Sequence, residues 1–130
     1  MDNQELINLA LEAAEKAYAP YSKFHVGAAI LFEDGNIITG CNVENASYGL
    51  CLCAERNAIS TAIAKGIEPE IKKLAIASPN AEKCYPCGAC RQWIQEFAKN
   101  AIIIVKDGNN TVEYSISELL PYSFDKEIFQ

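Results

Sequence analysis

The rest of this chain is organised around Pro86-Cys87-Gly88-Ala89-Cys90-Arg91-Gln92, read together with Cys53-Ala54-Glu55. Two cysteines three positions apart at the start of a helix point their sulfurs the same way, and such thiolates can share one tetrahedral Zn²⁺. Cys53 offers a third sulfur. Three protein ligands leave the fourth zinc position open for water, which is typical of catalytic rather than structural zinc. Glu55 is then expected beside that water as a proton carrier.

Length and charge narrow the classes of protein that this chain can be. Its 130 residues are enough for one packed core, so we expect a single domain over residues 1–130. The 17 Asp and Glu against 11 Lys and Arg give a net charge of −6, which argues against a nucleic-acid partner. No apolar run approaches the roughly 20 residues of a membrane span, and the first residues lack the pattern of a signal peptide. We therefore expect a cytoplasmic protein with no membrane partner.

The hydrophobic pattern predicts alternating strands and helices. The strands are expected at residues 26–32, 37–43, 71–77, 101–105 and 111–115, and the helices at residues 3–18, 54–65, 87–99 and 117–120. Residues 33–36 and 107–110 have turn composition. In the helix over 87–99, Ile94 and Phe97 are expected to be buried. The order predicts an α/β fold in which a mixed sheet of about five strands carries helices on its faces.

Both cysteine clusters are placed by this reading at helix N-termini that follow strands. Ligand sites of open α/β sheets lie at that end of the sheet. Near the end of the second predicted strand, Asn42 and Glu44 are two residues apart and should project the same way. An amide beside a carboxylate can bind a sugar hydroxyl. His25 is the only histidine of the chain, and we expect a structural role for it.

These motifs resemble those of the small homotetrameric cytidine deaminases. The resemblance covers residues 24 to 121. It is carried by Phe24-His25-Val26-Gly27-Ala28-Ala29, Asn42-Val43-Glu44-Asn45-Ala46-Ser47-Tyr48, Cys53-Ala54-Glu55-Arg56, Pro86-Cys87-Gly88-Ala89-Cys90-Arg91-Gln92 and Leu119-Leu120-Pro121. The Cys-x-Glu and Pro-Cys-x-x-Cys elements are the three-cysteine form of the zinc deaminase signature. The resemblance implies a three-layer sandwich fold.

It also implies a function, the hydrolytic deamination of cytidine and deoxycytidine to uridine and deoxyuridine with release of ammonia, in pyrimidine salvage. One zinc per chain would be held by Cys53, Cys87 and Cys90, with Glu55 as the proton shuttle. Three thiolates on Zn²⁺ leave a formal charge of −1, and Arg56 is expected to compensate it. The residues that would contact the substrate are Phe24, Asn42, Glu44, Tyr48, Ala54 and Phe124, with Tyr48 and Phe124 at a boundary shared between subunits.

Three alternatives stay open at this point. Cys84 precedes the second cluster, and as a fourth ligand it would close the site into a structural zinc module without catalysis. A deaminase acting on RNA or DNA would share the zinc motifs, but it needs a basic groove that the net charge opposes. A deaminase of a nucleoside-like antibiotic would share them too, although the pair Asn42 and Glu44 favours an ordinary nucleoside. The sequence does not rank cytidine against deoxycytidine.

Overall fold

Five strands form one mixed sheet in a computed structural model that describes residues 1–129. The sheet order is β2-β1-β3-β4-β5, where neighbouring strands are antiparallel except for the parallel pair β3 and β4. The strands are β1 (Gly27–Phe32), β2 (Ile37–Cys41), β3 (Ile71–Ala77), β4 (Ile102–Asp107) and β5 (Asn110–Ser115). The mixed five-stranded sheet predicted from the sequence is thus confirmed.

Two glycines allow the antiparallel strand pairs to be joined by short turns. Gly35 lies between β1 and β2 with φ of 90°, and Gly108 lies between β4 and β5 with φ of 58°. This left-handed backbone region favours glycine because it has no Cβ. The two turns predicted from composition are both present.

Helices cover the two faces of the sheet and complete three layers. They are α1 (Asn3–Ala14), α2 (Ala54–Ala64), α3 (Gly88–Phe97) and α4 (Ile116–Leu119), with short 3₁₀ turns at Tyr48–Leu50 and Lys126–Phe129. On one face, Leu6, Ile7 and Ala10 of α1 pack against residues from β1, β3 and β4. On the other face, α2 and α3 enclose the larger core, to which Ile59 and Ile94 contribute.

Two further glycines let helices approach the sheet closely. A Cβ at Gly27 would lie 1.7 Å from the carbonyl oxygen of Ala10 in α1. A Cβ at Gly40 would lie 2.7 Å from the backbone nitrogen of Ala58 and 2.8 Å from the carbonyl oxygen of Ala54, both in α2. The absence of a side chain at Gly40 therefore fixes how close α2, which follows Cys53 directly, lies to the sheet.

The expected ends of several elements are wrong by a few residues. α1 ends at Ala14 instead of continuing to Tyr18, because Tyr18 pairs with the segment after β2: its N–H donates to the carbonyl of Asn42 at 3.0 Å. β2 ends at Cys41, so Asn42 and Glu44 lie beyond the strand. α2 and α3 end one and two residues earlier than expected, at Ala64 and Phe97.

One expected core residue is also wrong. Phe97 is 44% exposed, and its ring contacts the ring of Trp93 at a centroid distance of 5.3 Å. It lies in the last turn of α3, while Ile94 one turn earlier is fully buried as expected. Across residues 1–129, no helix has both the length and the apolar character that crossing a bilayer requires.

Candidate metal centre and active site

Cysteines occupy the N-cap positions of both helices that point at the site. Cys53 precedes α2 and Cys87 precedes α3, and neither side chain makes a capping hydrogen bond to its helix. N-caps are usually Ser, Thr, Asp or Asn, whose oxygens accept such bonds. The two sulfurs are instead directed at each other, at a distance of 3.7 Å. Two positive helix ends therefore meet at a pair of thiols, where they favour the thiolate form.

Cys90 completes a cluster of three thiols. It lies in the first turn of α3 and is fully buried, and the sulfurs of Cys53, Cys87 and Cys90 all lie within 4.8 Å of one another. Zn–S bonds of about 2.3 Å in tetrahedral geometry place sulfurs about 3.8 Å apart. The observed separation of Cys53 and Cys87 matches that spacing, and an all-sulfur donor set suits zinc. These three residues fit a zinc ion.

Hydrogen bonds already favour negative charge at Cys53. The Arg56 guanidinium donates to its sulfur at 3.5 Å and to the carbonyl of Cys51 at 3.2 Å. Hydrogen bonding from Cys90, and then from Arg56 and Cys87, lowers the pKa of the Cys53 thiol to about 5 against the opposing effect of burial. The pKa of Cys90 is raised, first because it shares that hydrogen bond with Cys53 and second because it is buried. Arg56 is thus the cation in direct contact with the thiol cluster.

Glu55 is a carboxyl group held out of water beside the thiols. It lies in the first turn of α2 and is only 3% exposed. Burial, reinforced by the charge on Cys53, raises the pKa of Glu55 to about 7. A group whose pKa is close to the working pH can both take up and release a proton, which general acid–base catalysis requires.

A cavity of about 270 Å³ opens onto this carboxyl group and the cluster. Its walls come from the segment before β1, the end of β2, the start of α2 and the loop between β3 and α3. The lining residues are Phe24, Val26, Asn42, Cys53, Ala54, Glu55, Cys84, Tyr85 and Cys87. The structure therefore brings together at one cavity most of the residues singled out in the sequence.

Cys84 lies on the wall of this cavity and is not a member of the three-thiol cluster among the described residues. It is half-buried and packs against the larger core, and burial raises the pKa of its thiol to about 11. A closed four-sulfur site needs four sulfurs close together, and the sulfur of Cys84 is not among those that lie within 4.8 Å of one another. This arrangement does not favour the closed four-sulfur module.

Asn42 and Glu44 lie just beyond the end of β2, on either side of Val43, which forms isolated bridges with Tyr18 and Leu52. Glu44 lines a neighbouring cavity with Tyr21, Ser22 and Tyr48. The Asn42 amide lines the cavity beside the thiol cluster, which we call the zinc-site cavity. Its oxygen accepts from the backbone N–H of Val26, and its nitrogen donates to the carbonyl of Phe24, both at 2.8 Å. Asn42 thus holds the Phe24 segment against the cavity.

Tyr48 and Phe124 lie away from the zinc-site cavity of their own chain. Tyr48 is 74% exposed in the first 3₁₀ turn, where its ring meets the ring of Tyr21 edge-on. Phe124 is 60% exposed in the C-terminal tail, and its ring contacts that of Phe129.

Three residues beside the site were not singled out in the sequence. Val26 and Tyr85 line the cavity, and Ser22 binds Glu44 through its hydroxyl. Tyr85 is fixed by a hydrogen bond between its hydroxyl and that of Tyr114 at 3.0 Å. Tyr85 lies two residues before Cys87, so its proximity to the metal motif was an available signal. No sequence signal pointed to Ser22, because Glu44, to which its hydroxyl donates, is 22 positions away.

The chain as a whole is similar to known proteins. The family model for the cytidine and deoxycytidylate deaminase zinc-binding region matches residues 1–106. A cytidine deaminase of Halalkalibacterium halodurans is 43% identical over 129 residues, which is 98% of this chain and 97% of that relative.

Two solved structures have the same architecture. The crystal structure of cytidine deaminase from Burkholderia pseudomallei superposes with a TM-score of 0.90 at 43% identity, covering 95% of this chain and all of that one. The crystal structure of cytidine deaminase from Mycobacterium tuberculosis gives a TM-score of 0.83 at 39% identity, covering 95% of this chain and 98% of that one.

Proposed function

The chain belongs to the cytidine and deoxycytidylate deaminase family and is an enzyme that deaminates cytidine, and we propose that it does so at the cluster of Cys53, Cys87 and Cys90 with Glu55 as the proton carrier. The observation that carries this assignment is the three-thiol cluster at two helix N-termini, next to a buried carboxyl group at the same cavity. One zinc ion per chain is the proposed cofactor.

The reaction adds water to C4 of the cytosine ring and breaks the bond from C4 to the amine. Bound zinc supplies Lewis acidity that makes water nucleophilic at neutral pH. Glu55 accepts a proton from the attacking water and delivers it to N3. It then takes the proton of the new C4 hydroxyl and passes it to the amine, so that the bond from C4 to the amine breaks and uridine and ammonia remain. Burial serves this role, because a carboxyl group with a pKa near 7 exchanges protons readily in both directions. Arg56 offsets the negative charge of the thiolates through its contact with Cys53.

The substrate contacts are proposed from the walls of the cavities. Phe24 and Ala54 line the zinc-site cavity and would enclose the base. Asn42, at the same cavity, and Glu44, at the neighbouring one, would bind the ribose hydroxyls. A site of this kind accepts both cytidine and deoxycytidine, since both carry the same base and a 3′-hydroxyl.

The cellular setting is proposed from the same chemistry. An enzyme that converts free nucleosides suits pyrimidine salvage in the cytoplasm, and we propose that residues 1–130 act there as a single catalytic domain. All six cysteines are free thiols, as a reducing compartment would keep them. The net charge of −6 supports a small nucleoside rather than RNA or DNA as substrate.

A homotetramer with shared active sites is the proposed assembly. The C-terminal tail, which begins at Pro121, is attached to α3 by polar contacts. Gln92 donates to the carbonyl of Phe124 at 2.8 Å, and Gln95 donates to the carboxylate of Asp125 at 2.9 Å. These contacts leave Phe124, Ile128 and Phe129 exposed. Exposed apolar groups of this kind are usually covered by a partner. We propose that Phe124 and Tyr48 meet the active site of a neighbouring subunit.

An absorbance assay tests the function. Purified protein with measured zinc content is incubated with cytidine, deoxycytidine, free cytosine or blasticidin S, and the change in ultraviolet absorbance is followed. We expect rapid conversion of both nucleosides at one zinc per chain and little conversion of free cytosine. Turnover of blasticidin S with inert cytidine would identify an antibiotic deaminase, and full zinc without any turnover would favour a structural zinc module.

A further inference from the structure

Glu44 is held by the loop that carries Phe24. Its Oε1 accepts hydrogen bonds from the backbone N–H groups of Tyr21 at 3.0 Å and Ser22 at 3.1 Å. Its Oε2 accepts a hydrogen bond from the Ser22 hydroxyl. The Ser22 oxygen accepts in turn from the backbone N–H of Phe24 at 3.0 Å. The Ser22 hydroxyl therefore links the carboxylate proposed to bind ribose with the residue proposed to enclose the base.

The two carboxylate oxygens of Glu44 differ in what they can still accept. Each oxygen of an ionised carboxylate has about two lone-pair positions. Oε1 already receives two backbone donors and is saturated, whereas Oε2 receives only Ser22 and keeps one position free. The hydrogen bond from the Ser22 side chain is also the main reason that the pKa of Glu44 is lowered, so the carboxylate stays ionised as an acceptor.

We propose that Ser22 is a positioning residue that aims the free lone pair of Glu44 Oε2 at a ribose hydroxyl and so sets the preference of the enzyme for hydroxylated nucleosides. This inference rests on the proposed role of Glu44 as a ribose ligand. Glu44 is half-buried, and without the Ser22 hydroxyl its Oε2 would lose the hydrogen bond that fixes the direction of its free lone pair. The two backbone donors to Oε1 would remain, and the loop would stay attached.

The test compares cytidine with 2′,3′-dideoxycytidine, which has the same base and lacks both ribose hydroxyls. Steady-state kinetics are measured with the zinc-loaded, full-length enzyme and its variants. Ser22→Ala should raise KM for cytidine about tenfold, as expected for loss of a hydrogen bond to a charged group, and should leave kcat within about twofold. KM for dideoxycytidine should change less than about threefold. Ser22→Thr keeps a hydroxyl and should restore KM for cytidine.

A double-mutant cycle separates action through Glu44 from a general effect on the loop. In a Glu44→Ala background, Ser22→Ala should change KM for cytidine by less than about twofold, because its partner is gone. Equal increases for both substrates, or an undiminished effect of Ser22→Ala in that background, would overturn the inference while leaving Glu44 as a ribose ligand. If Glu44→Ala itself raised KM equally for both substrates, the ribose role of Glu44 would fall and the inference with it. Cytidine turnover by the wild-type enzyme would still support the deaminase.

Discussion

At the scale of single residues, the site depends on which thiols face one another. Cys53 and Cys87 occupy positions where other helices have capping oxygens, and with Cys90 they form the group that fits zinc. Cys84 lies beside them on the cavity wall, outside the cluster of three sulfurs. We therefore propose that Cys84 is not a zinc ligand, although it is close to the metal motif.

Serine substitutions of two neighbouring cysteines test this distinction. We expect Cys87→Ser to lose most of its zinc, because it removes one of three ligands, and Cys84→Ser to keep nearly one zinc per chain. Elemental analysis of the purified variants measures both. Each variant is the matched control of the other, since the two positions are three residues apart. Zinc loss in Cys84→Ser would establish the four-sulfur site instead.

Substitution of Arg56 tests whether its guanidinium compensates the charge of the thiolates. Its contact with the Cys53 sulfur should stabilise the thiolates that hold the metal, so Arg56→Gln should weaken zinc affinity about 10- to 100-fold, as outer-shell changes commonly do. Competition with a chromogenic chelator measures the affinity. Lys65→Gln, at the exposed end of α2, removes a cation without touching the thiols and should bind zinc like the wild type. Equal affinities for all three proteins would contradict charge compensation by Arg56.

Some residues of the site could be predicted from the sequence, and others could not. The candidate ligands and Glu55 could be named because they form two short clusters, Cys53 with Glu55 and Cys87 with Cys90, each at a helix start that a local pattern indicates. Ser22 could not, because its hydrogen bond to Glu44 depends on how the loop before β1 packs against the segment after β2. Contacts of that kind leave no local pattern.

Among the helices and strands, a tight contact between β2 and α2 positions the site. Gly40 in β2 lies against α2, where a Cβ would come within 2.8 Å of backbone atoms of Ala54 and Ala58. Backbone cannot move aside as the end of a flexible side chain can. A side chain at this position must therefore displace α2, whose first turn carries Glu55.

Gly40→Ala should consequently impair stability and activity together. We expect a loss of about 1–3 kcal/mol in the free energy of unfolding, the usual range for overpacking, measured by urea denaturation. Cytidine turnover should fall as well, because Glu55 moves with the helix. Gly49→Ala is the control, since a Cβ there meets nothing within 4 Å. A Gly40→Ala enzyme as stable and active as Gly49→Ala would show that α2 adjusts freely.

The order and type of the elements followed from hydrophobic periodicity, but their ends did not. The apolar spacing of α1 continues to Tyr18, yet the helix ends at Ala14 because Tyr18 makes backbone hydrogen bonds to Asn42 and Glu44. These hydrogen bonds lie just beyond Cys41, the residue at which β2 ends. Two distant segments thus set each other's boundaries, which separate local patterns cannot express.

In the molecule as a whole, the C-terminal tail is a segment whose large apolar side chains stay exposed. Its backbone and charged groups are attached to Gln92 and Gln95 of α3 and to Lys99 just after it, while the ring of Phe124 remains exposed. Polar attachment with apolar groups left outside suits a segment that meets a second copy of the chain. The proposed shared active site predicts that assembly and substrate binding depend on this tail together.

Removing the tail should therefore weaken both properties. A chain truncated before Pro121 should sediment as smaller species than the full-length protein and should show a higher KM for cytidine. Phe124→Ala, which keeps the polar attachment, should raise KM in the same direction, whereas Lys126→Ala should behave like the wild type. Sedimentation velocity and steady-state kinetics measure the two effects. A full-length protein that sediments as a monomer with full activity would rule out shared sites.

Cytidine turnover by Glu55→Gln, at a zinc content equal to that of the wild type, tests most directly whether Glu55 carries the proton. Glutamine has nearly the same shape and cannot carry a proton, so zinc content and melting temperature should be unchanged while kcat falls at least about 10³-fold, toward the upper part of the range for general acid–base catalysis. Glu12→Gln, an exposed change on α1, should leave kcat unaltered. A Glu55→Gln enzyme within about tenfold of wild-type kcat would contradict Glu55 as the proton carrier.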